Sequence, residues 1–298
     1  MQARREGVRE IAVISGKGGT GKTSFTASFA VLARGCVMAD CDVDAADMHL
    51  LLAPETVERN RFLSGNKAFI RKEACNACGR CVELCRFGAV RVEGGSYSVD
   101  SLACEGCGLC VRFCPAGAID FPVCDCGEWM VSRTRAGKMV HARLTPGAEN
   151  SGRLVSLVRK EARKIAEGDG TPLVLVDGPP GIGCPVIASV TGASLAVIVT
   201  EPTMSGAHDL ERVLSLTGHF GIPCAVCVNK WDINPEVTAL IEASAEKSGA
   251  RAAGRVGYDP GVTRAMVSAK TVVETDCAAS ADISAVWKAV CTIGGFDG

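Results

Sequence analysis

The sequence predicts an α/β fold: a mostly parallel sheet covered by helices on both faces, interrupted by a small cysteine-rich insert. Three observations predict it. Short apolar runs alternate with helical stretches at both ends of the chain. The first apolar run ends in glycines that lead into a helix. Two regularly spaced cysteine runs occupy the stretch between Cys75 and Cys114.

The elements follow in order. Glu10–Ser15 (EIAVIS) is a short apolar run of the kind that forms a buried parallel strand. Gly21–Ala33 reads as a helix and Gly35–Asp40 as a second strand ending in acidic residues. From Leu63 to Pro122 cysteines with short connectors take over, with a hairpin over Arg91–Val99 turning at Gly94-Gly95. A further hairpin is predicted over Met130–Leu144, turning near Ala136-Gly137. Helices are then expected at Ser151–Glu167, Ser205–Phe220 and Pro235–Ser248, with two more near the C-terminus. Strands are expected at Leu173–Asp177, Ser194–Thr200, Pro223–Asn229 and Arg251–Val256. The domain plan is therefore 1–62 and 124–298 as one α/β domain, with 63–123 inserted into it.

Composition narrows the function. A chain of 298 residues, 47% hydrophobic, can bury a sizeable core. Its net charge of −1 and its 5% aromatic content give no footprint for nucleic acid. The charge-free stretch Gly178–Thr200 is broken by Pro179, Pro180, Gly181, Gly183, Pro185 and Gly192, so no membrane insertion is expected. The 17 cysteines are odd in number and clustered, and no signal-peptide pattern precedes them. Ligand thiolates in a reducing, cytoplasmic setting fit better than a disulfide framework.

Gly16-Lys17-Gly18-Gly19-Thr20-Gly21-Lys22-Thr23 lies between the first strand and the first helix. Its glycines let successive N–H groups curl around phosphate oxygens, and the helix N-terminus adds partial positive charge. Lys22 is expected at the β/γ-phosphates and the Thr23 hydroxyl on Mg²⁺. The loop, with its second lysine Lys17, resembles the MinD/ParA group of deviant Walker A ATPases. That resemblance implies a P-loop NTPase fold and a homodimer with ATP at the interface. It makes Lys17 a lysine that reaches across to the partner's ATP and stabilises charge on the transferred phosphate. Asp40-Cys41-Asp42 matches the family's first switch, giving Asp40 a Mg²⁺ water and Asp42 the attacking water, with Asp42 also counted among the Mg²⁺-site residues. The family often has Pro and Asn where this chain has Ala46 and Asp47. Asp177 ends an apolar Walker B strand and suits a Mg²⁺-water acceptor. Asn229-Lys230-Trp231-Asp232 is similar to a base-recognition motif, which would place Asn229 and Asp232 at the adenine. Glu201-Pro202-Thr203, Ser205-Gly206, His208-Asp209-Leu210, Glu149-Asn150-Ser151-Gly152 and Tyr258-Asp259-Pro260 resemble a narrower group, MinD-superfamily ATPases with an inserted ferredoxin domain. His208 reads as a cap or a surface residue.

Cys75-x2-Cys78-x2-Cys81-x3-Cys85 and Cys104-x2-Cys107-x2-Cys110-x3-Cys114-Pro115 are two copies of the bacterial ferredoxin run. In that run the fourth cysteine serves the other cluster. Cys75, Cys78, Cys81 and Cys114 are thus assigned to one [4Fe–4S], and Cys104, Cys107, Cys110 and Cys85 to the second. Arg86 stands where proline is common after Cys85. Zinc sites need cysteine pairs separated by a longer spacer.

Other cysteines are less specific. Cys184 follows the second switch, where the nitrogenase iron protein has a cluster ligand; it is expected either as a bridging ligand across a dimer axis or as a small buried thiol. Cys224 and Cys227 sit on a strand at i and i+3, so they point to opposite faces and read as core. Cys124 and Cys126 share a side and are candidates for a metal. Cys36, Cys41, Cys277 and Cys291 read as structural. The expected function is an ATP-hydrolysing dimeric switch coupled to iron–sulfur electron transfer or metal-cofactor assembly, with a redox or metal-cofactor protein as partner. The alternatives are a cluster scaffold or carrier, and a MinD/ParA-like positioning ATPase. Against the last, Ala281–Ile293 carries one lysine, Lys288, and is not a basic amphipathic helix.

Overall fold

A computed structural model describes residues 7–148 and 151–296. Glu149 and Asn150 of the quoted motif lie outside the described residues. The chain folds as two compact units. One comprises 7–60, Trp129–Arg143 and 151–296; the other comprises Arg61–Glu128 with 144–148.

The first unit is built on a nine-stranded sheet. Its strand order is Arg251–Val256, Cys224–Asn229, Leu195–Thr200, Arg9–Ser15, Leu173–Pro180, Cys36–Asp40, Gly137–Leu144, Val123–Thr134, Glu55–Asn66. All pairings from the first strand in this order to Gly137–Leu144 are parallel. Connections between such strands must cross over, and helices supply them, burying both faces. Leu173–Val176 and Leu195–Thr200 are accordingly buried at every residue. The helix Lys22–Ala33 packs Phe25 and Phe29 into this core, and Phe29 meets Trp287 of the helix Ala278–Gly294 with ring centroids 5.0 Å apart. The terminal helix therefore commits Ile283, Val286, Trp287 and Val290 to the core.

Two elements differ from expectation. The predicted hairpin is longer and belongs to the main sheet: Val123–Thr134 turns through Arg135-Ala136 into Gly137–Leu144, which pairs with Cys36–Asp40. The strand Glu55–Asn66 at the sheet's edge has no counterpart in the sequence reading, and a short helix, Met48–Leu52, precedes it. At the hairpin turn, Arg135 forks onto Glu274 (2.7 and 2.6 Å) and donates to the Leu51 carbonyl at 2.7 Å. The guanidinium holds the Glu274 carboxyl down at about 2. This clasp fixes the helix that follows the acidic strand end.

The second unit is built on an internal repeat. Arg80–Leu84 and Leu109–Arg112 are matching short helices within the two cysteine runs. Phe69–Ile70 pairs antiparallel with Ile119–Asp120, and Val90–Glu93 with Ser96–Val99 through Gly94-Gly95. In each run the fourth thiol accepts a backbone N–H four residues on: Ala89 to Cys85 at 3.3 Å and Ala118 to Cys114 at 3.4 Å. The apolar cluster here has Ala68, Ile70 and Ile119 as its buried members, with Cys75, Cys81, Cys104, Cys110 and Cys114 packed around them.

Phe29 is fully buried between the sheet and the terminal helix. Phe29→Ala should cost about 3–5 kcal/mol in chemical denaturation of the first unit. A loss below about 1 kcal/mol would mean that the terminal helix does not share this core.

Candidate functional site

The site forms where parallel strands end. Val13 of the first strand is in register with Asp177 of Leu173–Pro180, and Asp177 is in register with Asp40 of Cys36–Asp40. In-register residues of adjacent parallel strands project to the same face. Asp40 and Asp177 therefore converge beside the glycine loop that leaves the first strand at Ser15.

The loop turns into the helix through Gly19 (φ +80°) and Gly21 (φ +92°), a backbone that L side chains rarely adopt. A Cβ on Gly21 would also lie 2.8 Å from the Asn229 amide nitrogen. That amide donates to the Thr20 carbonyl at 2.8 Å, so Asn229 ties the loop down while also lining the cavity. The motif in the sequence points Asn229 at the base alone; its hold on the loop is a finding of the structure. Asp232 accepts the Tyr258 N–H at 2.7 Å and so braces the loop after the last strand.

Lys22 heads the helix and is nearly buried. Its ammonium lies 2.6 Å from Asp42 and 3.9 Å from Asp177. Thr23 donates to Asp177 at 2.7 Å, and Thr26 at 3.0 Å. Burial works against the charge on Lys22, but Asp177, Asp42 and Asp40 outweigh it and hold its pKa above the usual lysine value. Burial pushes the Asp40 carboxyl well up, and Asp177 adds to this. Asp177 is also raised, again by burial first, with Lys22 and the two threonines opposing. Asp40, Asp42 and Asp177 are all buried, and one Asp40 carboxylate oxygen has no hydrogen-bond partner among the described residues. Three buried carboxylates near one ammonium leave positive charge in deficit, which is why Asp40 and Asp177 hold their protons more tightly. Gly18, Gly19, Lys22, Thr23, Asp42 and Asn229 line a single cavity that continues to Tyr258 and Met266. The structure thus gathers the expected phosphate and Mg²⁺ residues, with Asn229 on the same cavity and Asp232 tied to it through Tyr258.

Lys17 stands at the start of the loop with its ammonium 3.3 Å from Glu201 and 3.2 Å from the Thr203 hydroxyl. Cys184 does not fit the buried-thiol alternative: it is exposed, in the first turn of the helix Cys184–Val190. His208 is a surface residue, and Thr203 is the cap of its helix, Met204–His219. Cys227 is buried in the core while Cys224 donates to Thr217 at 3.0 Å, so the CxxC does not converge.

In the cysteine-rich unit, Cys75, Cys78, Cys81 and Cys114 line one cavity together with Ile70 and Tyr97. Burial pushes the Cys110 thiol up, and Cys104 and Cys107 add to this. Cys126 is buried and donates to the Ser64 carbonyl at 3.0 Å. Among the described residues, no three His, Cys, Asp or Glu side chains are gathered as a single-ion site. No helix among them is long and apolar enough to cross a membrane.

Comparison with known proteins places this geometry in a family. The model of the CobQ/CobB/MinD/ParA nucleotide-binding domain matches residues 11–272. The chain belongs to the CobQ/CobB/MinD/ParA family. An uncharacterized protein of Methanocaldococcus jannaschii is 32% identical over 232 residues, covering 76% of this chain and 80% of its own. Among solved structures, the septum site-determining protein MinD of Pyrococcus horikoshii in complex with Mg-ADP is similar in fold. It has a TM-score of 0.59 at 16% identity, over 97% of this chain and 98% of its own. A ParA family ATPase of Chlorobium tepidum gives 0.56 at 16% identity, over 95% and 98%. These two likenesses show the mostly parallel α/β fold of the family.

The charge balance has a measurable sign. With a folded-state pKa above the ordinary value, Asp40 binds its proton more tightly folded than unfolded, so its ionisation costs stability as pH rises. In metal-free, nucleotide-free buffer at pH 8, Asp40→Asn should raise the melting temperature, by about 2–4 °C for each kcal/mol relieved. The difference from wild type should shrink as pH is lowered. A lowered midpoint at pH 8 would show that the carboxylate is not held against its surroundings.

Proposed function

We propose that this chain is an ATP-hydrolysing dimeric switch that works with two [4Fe–4S] clusters in its cysteine-rich unit, in electron transfer or metal-cofactor assembly. The observation that carries the cluster half of this reading is the cavity lined by Cys75, Cys78, Cys81 and Cys114. Three of these thiols come from one run and the fourth from the other, the exchange expected of paired clusters. A cubane takes one thiolate per iron around its outside, which agrees with thiols spread over a cavity wall rather than gathered on one ion. The apolar cluster of this unit supports the same reading, since five of the cysteines pack around Ala68, Ile70 and Ile119, and the other buried apolar residues are few, among them the small Ala89 and Ala118. Cys104, Cys107, Cys110 and Cys85 would hold the second cluster. When bound, the clusters supply one-electron redox chemistry.

The ATPase half rests on family membership and on the buried carboxylates. Lys22 would meet the β/γ-phosphates, Thr23 and Asp177 would hold Mg²⁺ and its water, and Asp40 would take a further water with its unpartnered oxygen. Asp42 must first release Lys22 before it orients a water for attack. Lys17 would complete the site of a second copy, so hydrolysis needs the homodimer. A MinD/ParA-like positioning ATPase is the second reading, and membership of the family is consistent with it.

Anaerobically prepared protein should carry about eight irons per chain, four per cluster, with [4Fe–4S] spectra. Cys78→Ser with Cys114→Ser should halve that number and leave nucleotide binding intact. Zinc in place of iron, or iron unaffected by these substitutions, would refute the assignment. For the ATPase half, Lys17→Ala should abolish hydrolysis while binding survives; hydrolysis at the normal rate would refute the trans-acting lysine.

A further inference from the structure

The run Glu201-Pro202-Thr203-x-Ser205-Gly206-x-His208-Asp209 leaves the strand Leu195–Thr200 and enters the helix Met204–His219. Nothing in the nucleotide chemistry uses it. Its geometry nevertheless concerns the lysine on which that chemistry turns.

The start of the phosphate loop lies directly against this helix. A Cβ on Gly16 would be 2.5 Å from the Asp209 Cβ and 2.9 Å from its backbone carbon, so only glycine allows the approach. That closeness sets the next residue, Lys17, beside the residues that precede the helix. Its ammonium meets Glu201 at 3.3 Å and donates to Thr203 at 3.2 Å. Thr203 is held by the N–H of Gly206 at 3.0 Å. Gly206 in turn admits no Cβ, which would fall 2.4 Å from the Glu201 carbonyl. The other Glu201 oxygen is 2.6 Å from Lys230, which stands in a left-handed conformation (φ +56°) next to Asn229. One carboxylate, largely shielded from solvent, thus lies between two ammonium groups.

We infer that Glu201 is a positioning residue for Lys17: it parks the lysine on its own subunit, and closure of the nucleotide-bound dimer must draw the lysine away. The inference rests on the reading of Lys17 as trans-acting. A lysine bonded to Glu201 and Thr203 is not free to reach another copy, so the parking contact opposes dimerisation. Lys230 moderates it by competing for the same carboxylate. The strength of the latch is therefore set by a residue adjoining the base-side Asn229, and the motif between Glu201 and Asp209 acquires a purpose.

The test measures dimerisation by sedimentation against protein concentration, with Mg²⁺ and a non-hydrolysable ATP analogue at saturation. Glu201→Gln keeps the shape of the side chain and loses the ion pair. It should lower the concentration at half-dimer by about three- to tenfold. Lys230→Met leaves Glu201 to Lys17 alone and should raise it. Opposite shifts cannot both come from a damaged fold. Both shifts should vanish when Lys17→Ala is added. Unchanged midpoints alongside an inactive Lys17→Ala would overturn the parking role and leave the trans-acting lysine standing. Shifts that persist without Lys17 would make Glu201 a purely structural residue. A Lys17→Ala protein as active as wild type would remove the trans-acting lysine itself, and the inference with it.

Discussion

The buried encounter between Lys22 and three carboxylates governs the rest of this molecule. Asp40 and Asp177 are brought side by side by parallel register, and Asp42 follows on the loop. Without Lys22 the three acids would face one another at the edge of the cavity with no positive charge between them, and Asp40 and Asp177 are themselves buried. The glycine loop delivers that lysine at the head of a helix, and the Asn229 amide keeps the loop in place. The same arrangement leaves positive charge in short supply beside the cavity, which is the balance on which the proposed nucleotide chemistry would draw.

Much of this was legible in the sequence because the relevant signals are local. Apolar runs of five or six residues flanked by glycine identify buried parallel strands, and the loop spacing fixes Lys22 and Thr23. Cysteine spacing is equally local, which is why the two runs stood out. The edge strand Glu55–Asn66 was not legible. Glu55, Glu58, Arg59 and Arg61 break any apolar alternation, as suits a strand with an open edge, where charge discourages pairing with another chain. Val123–Thr134 was foreseen only in its second half. The hold of Asn229 on the loop joins residues 209 apart in the chain, and the Lys17–Thr203 contact joins residues 186 apart. No spacing rule reaches that far; only the sheet's topology brings such groups together.

The two units draw their stability from different sources. The α/β unit buries whole strands and a pair of packed aromatic rings, and its core is complete from its own side chains. Among its described residues, the cysteine-rich unit is held by two short antiparallel pairings, N–H···S contacts and a small apolar core in which thiols pack around Ala68, Ile70 and Ile119. A core of that size does little against chain entropy.

That small ring of thiols has a consequence for the life of the protein in the cell. Under the proposed cluster assignment, a unit completed by iron and sulfide would mature on a different clock from one completed by its own leucines and valines. Newly made chains would pass through a half-finished stage, with the nucleotide unit folded and the cysteine unit waiting for supply. Oxidative loss of the inorganic part would return a mature chain to that stage. The cysteine unit would then be the first part open to proteases, and on that assignment the abundance of the whole chain would follow the availability of iron.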